Sequence, residues 1–114
     1  MHALIIEADA IVALAIEDAL REFGFASFAF ATTGEEAVAA AAGRCPDLIT
    51  ADKDLNAGCG IEAVQRICSN KRIPVVFVSE ATHEIEARLP AAISVRKPFP
   101  SAALAAAVAR AKAA

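Results

Sequence analysis

No apolar run in the sequence is long enough to span a bilayer, so no segment is expected to cross a membrane. Met1-His2-Ala3 leads directly into the first apolar segment, leaving no room for a signal peptide, and the expected location is the cytoplasm. Positive charge is not in surplus: 11 Lys and Arg stand against 14 Asp and Glu, for a net charge of -3. That balance argues against broad nucleic-acid binding. Cysteine is scarce and odd in number, and Cys45, Cys59 and Cys68 have no metal-ligand spacing, so they are expected to be reduced, small apolar fillers. His2 and His83 are isolated and expected to be solvated surface residues. Apart from the alanine-rich end there is no repeat, linker or low-complexity tail, and 114 residues suffice for one domain with a single core. The 57% hydrophobic content is inflated by alanine, which packs helices closely but buries little area per residue.

What the chain does have is a regular alternation of strand-like and helix-like segments. Residues 3 to 8 read as a first strand. Ile11, Leu14, Ala15, Asp18, Leu20 and Phe23 follow at helical spacing up to Gly24, a helix stop. Ala26 to Ala31 reads as a short second strand. Thr33 or Thr32 can cap the next helix, with Glu35 and Glu36 in its first turn and Gly43 at its end. A third strand runs into Asp52, and Ile61, Val64, Ile67 and Cys68 place an apolar stripe on a third helix ending near Asn70. Ile73 to Ser79 gives a fourth strand, Thr82 to Leu89 a short helix closed by Pro90, and Ile93 to Lys97 a fifth strand. Ser101 is expected to cap a last helix anchored by Leu104 and Val108. Five strand-then-helix units predict a doubly wound parallel sheet with helices on both faces.

In such sheets ligands bind beyond the carboxyl ends of the strands. The stretch Pro46-Asp47-Leu48-Ile49-Thr50-Ala51-Asp52-Lys53-Asp54 is an apolar run delivering one carboxylate, Asp52, to such an end, just ahead of Gly58 and Gly60. A charge placed there needs partners. The first strand supplies Glu7 and Asp9, the fourth a hydroxyl on Ser79, and the fifth an amine on Lys97 before Pro98. Phosphoryl transfer to a carboxylate needs a nucleophilic Asp, a divalent cation and donors for the phosphoryl oxygens. Asp52 fits the first role, Glu7 and Asp9 the second, and Ser79 and Lys97 the third.

These residues, in this order, resemble the receiver domain of two-component response regulators, of the chemotaxis-regulator type. The match runs from Ala-Leu-Ile-Ile-Glu at residues 3 to 7, through Pro46-Asp47-Leu48-Ile49 and Asp52, to Pro74-Val75-Val76-Phe77-Val78-Ser79 and Lys97-Pro98-Phe99. The resemblance implies a flavodoxin-like five-stranded parallel sheet of order 2-1-3-4-5, and a single receiver domain over residues 1–114 with no output domain. It implies that Asp52 is the phosphoacceptor, Ser79 the switch hydroxyl and Lys97 the phosphoryl-contacting amine. It further implies that magnesium is held by Glu7, Asp9, Asp52 and the backbone carbonyl of Asp54, and that Gly60 is the loop glycine ahead of the third helix. The implied partners are a sensor histidine kinase or phosphotransfer protein and a downstream protein, with no nucleic acid and no membrane. On this reading the chain is not an enzyme.

Several positions depart from the family pattern. Ala8 stands where a second acid ligates magnesium, which predicts a weakened metal site. Asn56 replaces a common proline, Glu80 a small residue and Ser94 an aromatic, and the interval from Ser79 to Lys97 is short, which predicts an abbreviated fourth helix. Lys53 reads as a solvated neighbour of Asp54 whose charge can partly stand in for a weakly held cation. Two alternatives stand beside the main reading. A pseudo-receiver, an interaction module that does not use phosphorylation, is favoured by Ala8 and Ser94. A haloacid-dehalogenase-like phosphohydrolase would use Asp52-Lys53-Asp54, Ser79 and Lys97 as its motifs, but it needs an acidic pair after the lysine, and no Asp or Glu follows Glu86. Beyond Glu86 all charges are basic, and Arg88, Arg96, Arg110 and Lys112 predict a basic face for an acidic protein partner.

Overall fold

The structure, a computed structural model, describes residues 1–68 and 70–113. Its elements are β1 (His2–Ile6), α1 (Ala10–Glu22), β2 (Ser27–Ala31), α2 (Gly34–Gly43), β3 (Leu48–Ala51), α3 (Gly60–Arg66), β4 (Val75–Ser79), α4 (Thr82–Arg88), β5 (Ile93–Arg96) and α5 (Ser101–Ala113). All strand pairings are parallel and the order is β2-β1-β3-β4-β5. This is the flavodoxin-like arrangement expected. β1 and β3 are central and buried throughout, which is why they read as unbroken apolar runs rather than alternating ones.

The period-2 pleat sorts these runs to two cores. Ala3, Ile5, Leu48, Val76, Val78 and Val95 face α1 and α5, where they meet Ile16, Leu20, Leu104 and Val108. Leu4, Ile6, Ile49, Ala51 and Phe77 face α2, α3 and α4, where they meet Ala37, Ala41, Ile61 and Ile85. Thr33 is the cap of α2 and accepts from Glu36 N at 3.1 Å, while the Glu36 carboxylate reaches back to Thr32 N at 2.7 Å. Gly24, at φ 110°, turns the chain out of α1 in a conformation that favours glycine.

Several expectations are corrected. β1 ends at Ile6, so Glu7 and Asp9 lie in the loop beyond it. The buried stripe of α1 is Ala13, Ile16, Ala19 and Leu20; Ile11 and Leu14 are 80% and 58% exposed, and Ala15 and Asp18 also face solvent. α3 stops at Arg66 rather than near Asn70, and Cys68 has a left-handed backbone with φ 44°. Ser101 is the first helical residue of α5, and the Pro100 carbonyl accepts from Ala103 N and Leu104 N.

Cys45 and Cys68 are joined in a disulfide with their Cα atoms 6.3 Å apart, and Cys59 alone is free. The topology brings the approach to β3 and the exit of α3 to the same end of the sheet, within disulfide reach. His2 is buried, and its Nδ1 lies 2.8 Å from Ser27 Oγ.

Candidate functional site

The carboxyl edge of the sheet gathers its charges through backbone ladders. Asp52 N donates to Ile6 O at 3.0 Å, Glu7 N to Ala31 O at 2.9 Å, and Lys97 N to Ser79 O at 3.1 Å. Each side chain is therefore launched one residue past a paired strand. The Lys97–Pro98 peptide is cis.

Lys97 Nζ lies 2.7 Å from Asp52 Oδ2, in a hydrogen bond, and 2.7 Å from Glu7 Oε1, in an ion pair outside hydrogen-bonding alignment. The three side chains are 13%, 10% and 2% exposed. Burial on its own would lower the Lys97 pKa. The hydrogen bond to Asp52 and the negative charges of Asp52 and Glu7 outweigh it, and the pKa is raised. One ammonium thus holds two carboxylates together, and the trio carries a net negative charge. The second oxygen of each acid is also used: Asp52 Oδ1 accepts from Asp54 N at 3.2 Å, and Glu7 Oε2 from Asp9 N at 3.1 Å.

Ser79 is buried at the end of β4, between the strands that carry Asp52 and Lys97, and its Oγ accepts from Ala81 N at 3.0 Å. Asp9 does not join the cluster. It is exposed, and its Oδ1 accepts from Ile11 N at 2.9 Å and Val12 N at 3.4 Å, capping α1. Lys53 is not merely a solvated neighbour of Asp54. Its ammonium lies 2.9 Å from Asp54 Oδ1 and 2.9 Å from Glu84 Oε2 on α4, contacts that raise its pKa, and nothing in the sequence signals the Glu84 contact. Gly60 N donates to Lys53 O at 2.9 Å, and a Cβ at Gly60 would overlap the Asp52 carbonyl oxygen. Only glycine leaves this loop room to pass over the backbone of Asp52.

Among the described residues no cluster of three or more His, Cys, Asp or Glu side chains suits a metal ion. Magnesium commonly takes only one or two carboxylates, with waters and phosphate oxygens completing its shell. Glu7 and Asp52, both bound to a single cation here, meet that minimum, and Ala8 contributes no donor. The residues therefore fit a magnesium ion through two carboxylates.

The family model for the response regulator receiver domain matches residues 3–109. The chain belongs to this family. The receiver is 39% identical over 69 residues to a protein-glutamate methylesterase/protein-glutamine glutaminase of Haloarcula marismortui, a match covering 60% of this chain and 19% of that protein. The PhyR receiver domain of Erythrobacter litoralis is 29% identical, with a TM-score of 0.85 and coverage of 96% of this chain and 88% of that one. A variant of the anti-anti-sigma factor PhyR from Bartonella quintana is 30% identical, with a TM-score of 0.85, over 97% of this receiver and 47% of that chain. The receiver domain of the sensor histidine kinase PA1611 from Pseudomonas aeruginosa shares the fold at 22% identity and a TM-score of 0.81, over 99% and 98% of the two chains; its structure holds a magnesium ion in the active-site cleft. This receiver thus spans about a fifth of the methylesterase and about half of the Bartonella quintana PhyR. Among its described residues no helix is long and apolar enough to cross a membrane.

Proposed function

We propose that this receiver accepts a phosphoryl group on Asp52 from a sensor histidine kinase or phosphotransfer protein, and signals by contact with another protein. The observation that carries this reading is the Lys97 ammonium fixed 2.7 Å from Asp52 Oδ2 at the end of the central strand. An Asp52 oxygen attacks phosphorus, the bond from phosphorus to the donor's histidine nitrogen breaks, and that nitrogen keeps the electron pair and takes a proton. Lys97 then has an anionic oxygen to pair with, and the Ser79 hydroxyl is free to donate to another once it leaves Ala81 N. A magnesium ion held by Glu7 and Asp52 would supply charge to offset the phosphoryl oxygens. The chain acts as a phosphoryl acceptor, not as an enzyme on a separate substrate, and it works in the cytoplasm.

The similarity to PhyR supports a downstream partner belonging to a sigma-factor regulatory circuit. Arg88, Arg96, Arg110 and Lys112, all exposed, offer that partner a basic face. One observation favours the pseudo-receiver reading: Lys97 already binds both acids, so the cluster is held together without a metal.

Incubation with acetyl phosphate, with and without magnesium, followed by intact-mass measurement and mapping of the modified residue, tests the proposal. Asp52 should be labelled, and Asp52→Asn should abolish labelling. Labelling that survives the substitution overturns the assignment, and no labelling of the parent under any condition establishes the pseudo-receiver.

A further inference from the structure

At the opposite edge of the sheet, the amino ends of β4 and β5 open into a cavity of about 550 Å³. It exists because the helices covering this region are short: α3 and α4 have seven residues each, against 13 in α1 and in α5. Val64 of α3, Val75 and Phe77 of β4, and Leu89 beyond α4 are left lining it. Its walls come from four separate stretches: α3, the approach to β4, the approach to β5 and the end of α5. A space bounded in this way suits a small molecule better than a partner helix, which needs an open-ended trough.

The charged lining residues are Arg72 and Lys112, and no acidic side chain lines the cavity. Arg72 is exposed and makes no ion pair among the described residues. Lys112 is positioned by Met1 Sδ at 3.2 Å and by the rings of Phe23 and Phe25, each 5.5 Å away. Its charge is thus fixed beside the cavity, with no ion pair among the described residues.

We propose that this cavity binds a small amphipathic anion, a medium-chain carboxylate, with its hydrocarbon body against Val64, Val75, Phe77 and Leu89 and its head on Arg72. The volume falls within the range of small-molecule sites, which hold an apolar body and fix it with a few polar groups. Guanidinium pairs with carboxylate in charge-assisted, two-pronged hydrogen bonds. The site lies at the opposite end of the sheet from Asp52.

The test is titration of the full chain with octanoate, decanoate and dodecanoate, followed by calorimetry and by amide chemical shifts. Saturable one-to-one binding is expected, tightening about fourfold per added methylene until the cavity is full. The shifts should centre on residues 72–77 and 89–93. Arg72→Gln, at an exposed position and with its fold checked by circular dichroism, should weaken carboxylate binding roughly tenfold while leaving dodecanol binding unchanged. Unsaturable binding, no dependence on chain length, shifts centred elsewhere, or equal carboxylate affinity in Arg72→Gln would each overturn the proposal.

Discussion

Replacing Lys97 with methionine keeps the apolar stem and removes the cation between Glu7 and Asp52. Both carboxylate oxygens lie 2.7 Å from the ammonium nitrogen, so they are within twice that distance of each other. At about 5 Å and an effective dielectric constant of about 20, two negative charges repel by about 3 kcal/mol. Protonation sets a ceiling on that repulsion, because placing a proton on an ordinary carboxylate at pH 7 requires only about 4 kcal/mol. Asp52 is 10% exposed, so some of the repulsion is screened by water. The expected loss of stability for Lys97→Met is therefore about 2–4 kcal/mol at pH 7. Like-charge repulsion between carboxylates is relieved as pH falls toward about 4.5, so the loss should be smaller there. Urea denaturation of parent and variant at both pH values, followed by far-ultraviolet circular dichroism, measures the difference. A loss below about 1 kcal/mol at pH 7, or an equal loss at both pH values, would refute the reasoning. In the parent the sign at high pH also follows. The folded pKa of Lys97 is raised, so the stability it contributes is present below its ordinary value of 10.5 and is lost as pH climbs through the elevated one.

Three further outcomes are expected. Ala8→Asp should tighten magnesium binding to the unphosphorylated protein by roughly tenfold or more in calorimetric titration, since it adds a carboxylate to a site that has two; an unchanged affinity means that another group supplies the ligand. Gly60→Ala forces a Cβ into the Asp52 carbonyl group, 2.7 Å from its carbon, and should cost about 1–3 kcal/mol in stability and slow labelling of Asp52. An unchanged melting temperature and labelling rate would show that the loop shifts freely. His2 has a lowered pKa, first through burial and then through the charge of Arg44, so the folded protein resists its protonation. Stability should fall as pH drops below the ordinary value of 6.5, and His2→Gln should flatten that fall; identical pH profiles would remove His2 from the account.

Much of the carboxyl edge is legible in the sequence because strand-end positions follow from apolar runs. Leu48-Ile49-Thr50-Ala51 reads as a buried strand, so Asp52 emerges at its end beside the ends of β1 and β4, where Glu7 and Ser79 stand, with Lys97 reaching across from the end of β5. The helices are harder to read. In α1 an apolar residue or an alanine occupies nearly every phase, and periodicity alone selected Leu20 correctly but Ile11 and Leu14 in place of the buried Ala13, Ile16 and Ala19. Asp9 is ambiguous because a carboxylate immediately before a helix serves equally as ligand or cap, and its two backbone donors decide for the cap. Contacts between residues distant in the sequence leave no local trace. The Cys45–Cys68 bond, the Ser27 contact of His2 and the Glu84 contact of Lys53 are products of topology, not of spacing.

The Lys53 contacts give the edge two ionic groups that ionic strength acts on unequally. Asp54 and Glu84 are 72% and 66% exposed, so mobile ions reach both partners of Lys53. Near physiological salt the screening length is about 8 Å, and exposed pairs of this kind keep little of their attraction. The Lys97 trio is shielded from those ions by its burial. Rising salt therefore loosens the ionic link between the loop after Asp52 and α4, which the burial of Ile85 still holds to the sheet, while Asp52 itself stays clamped by Lys97.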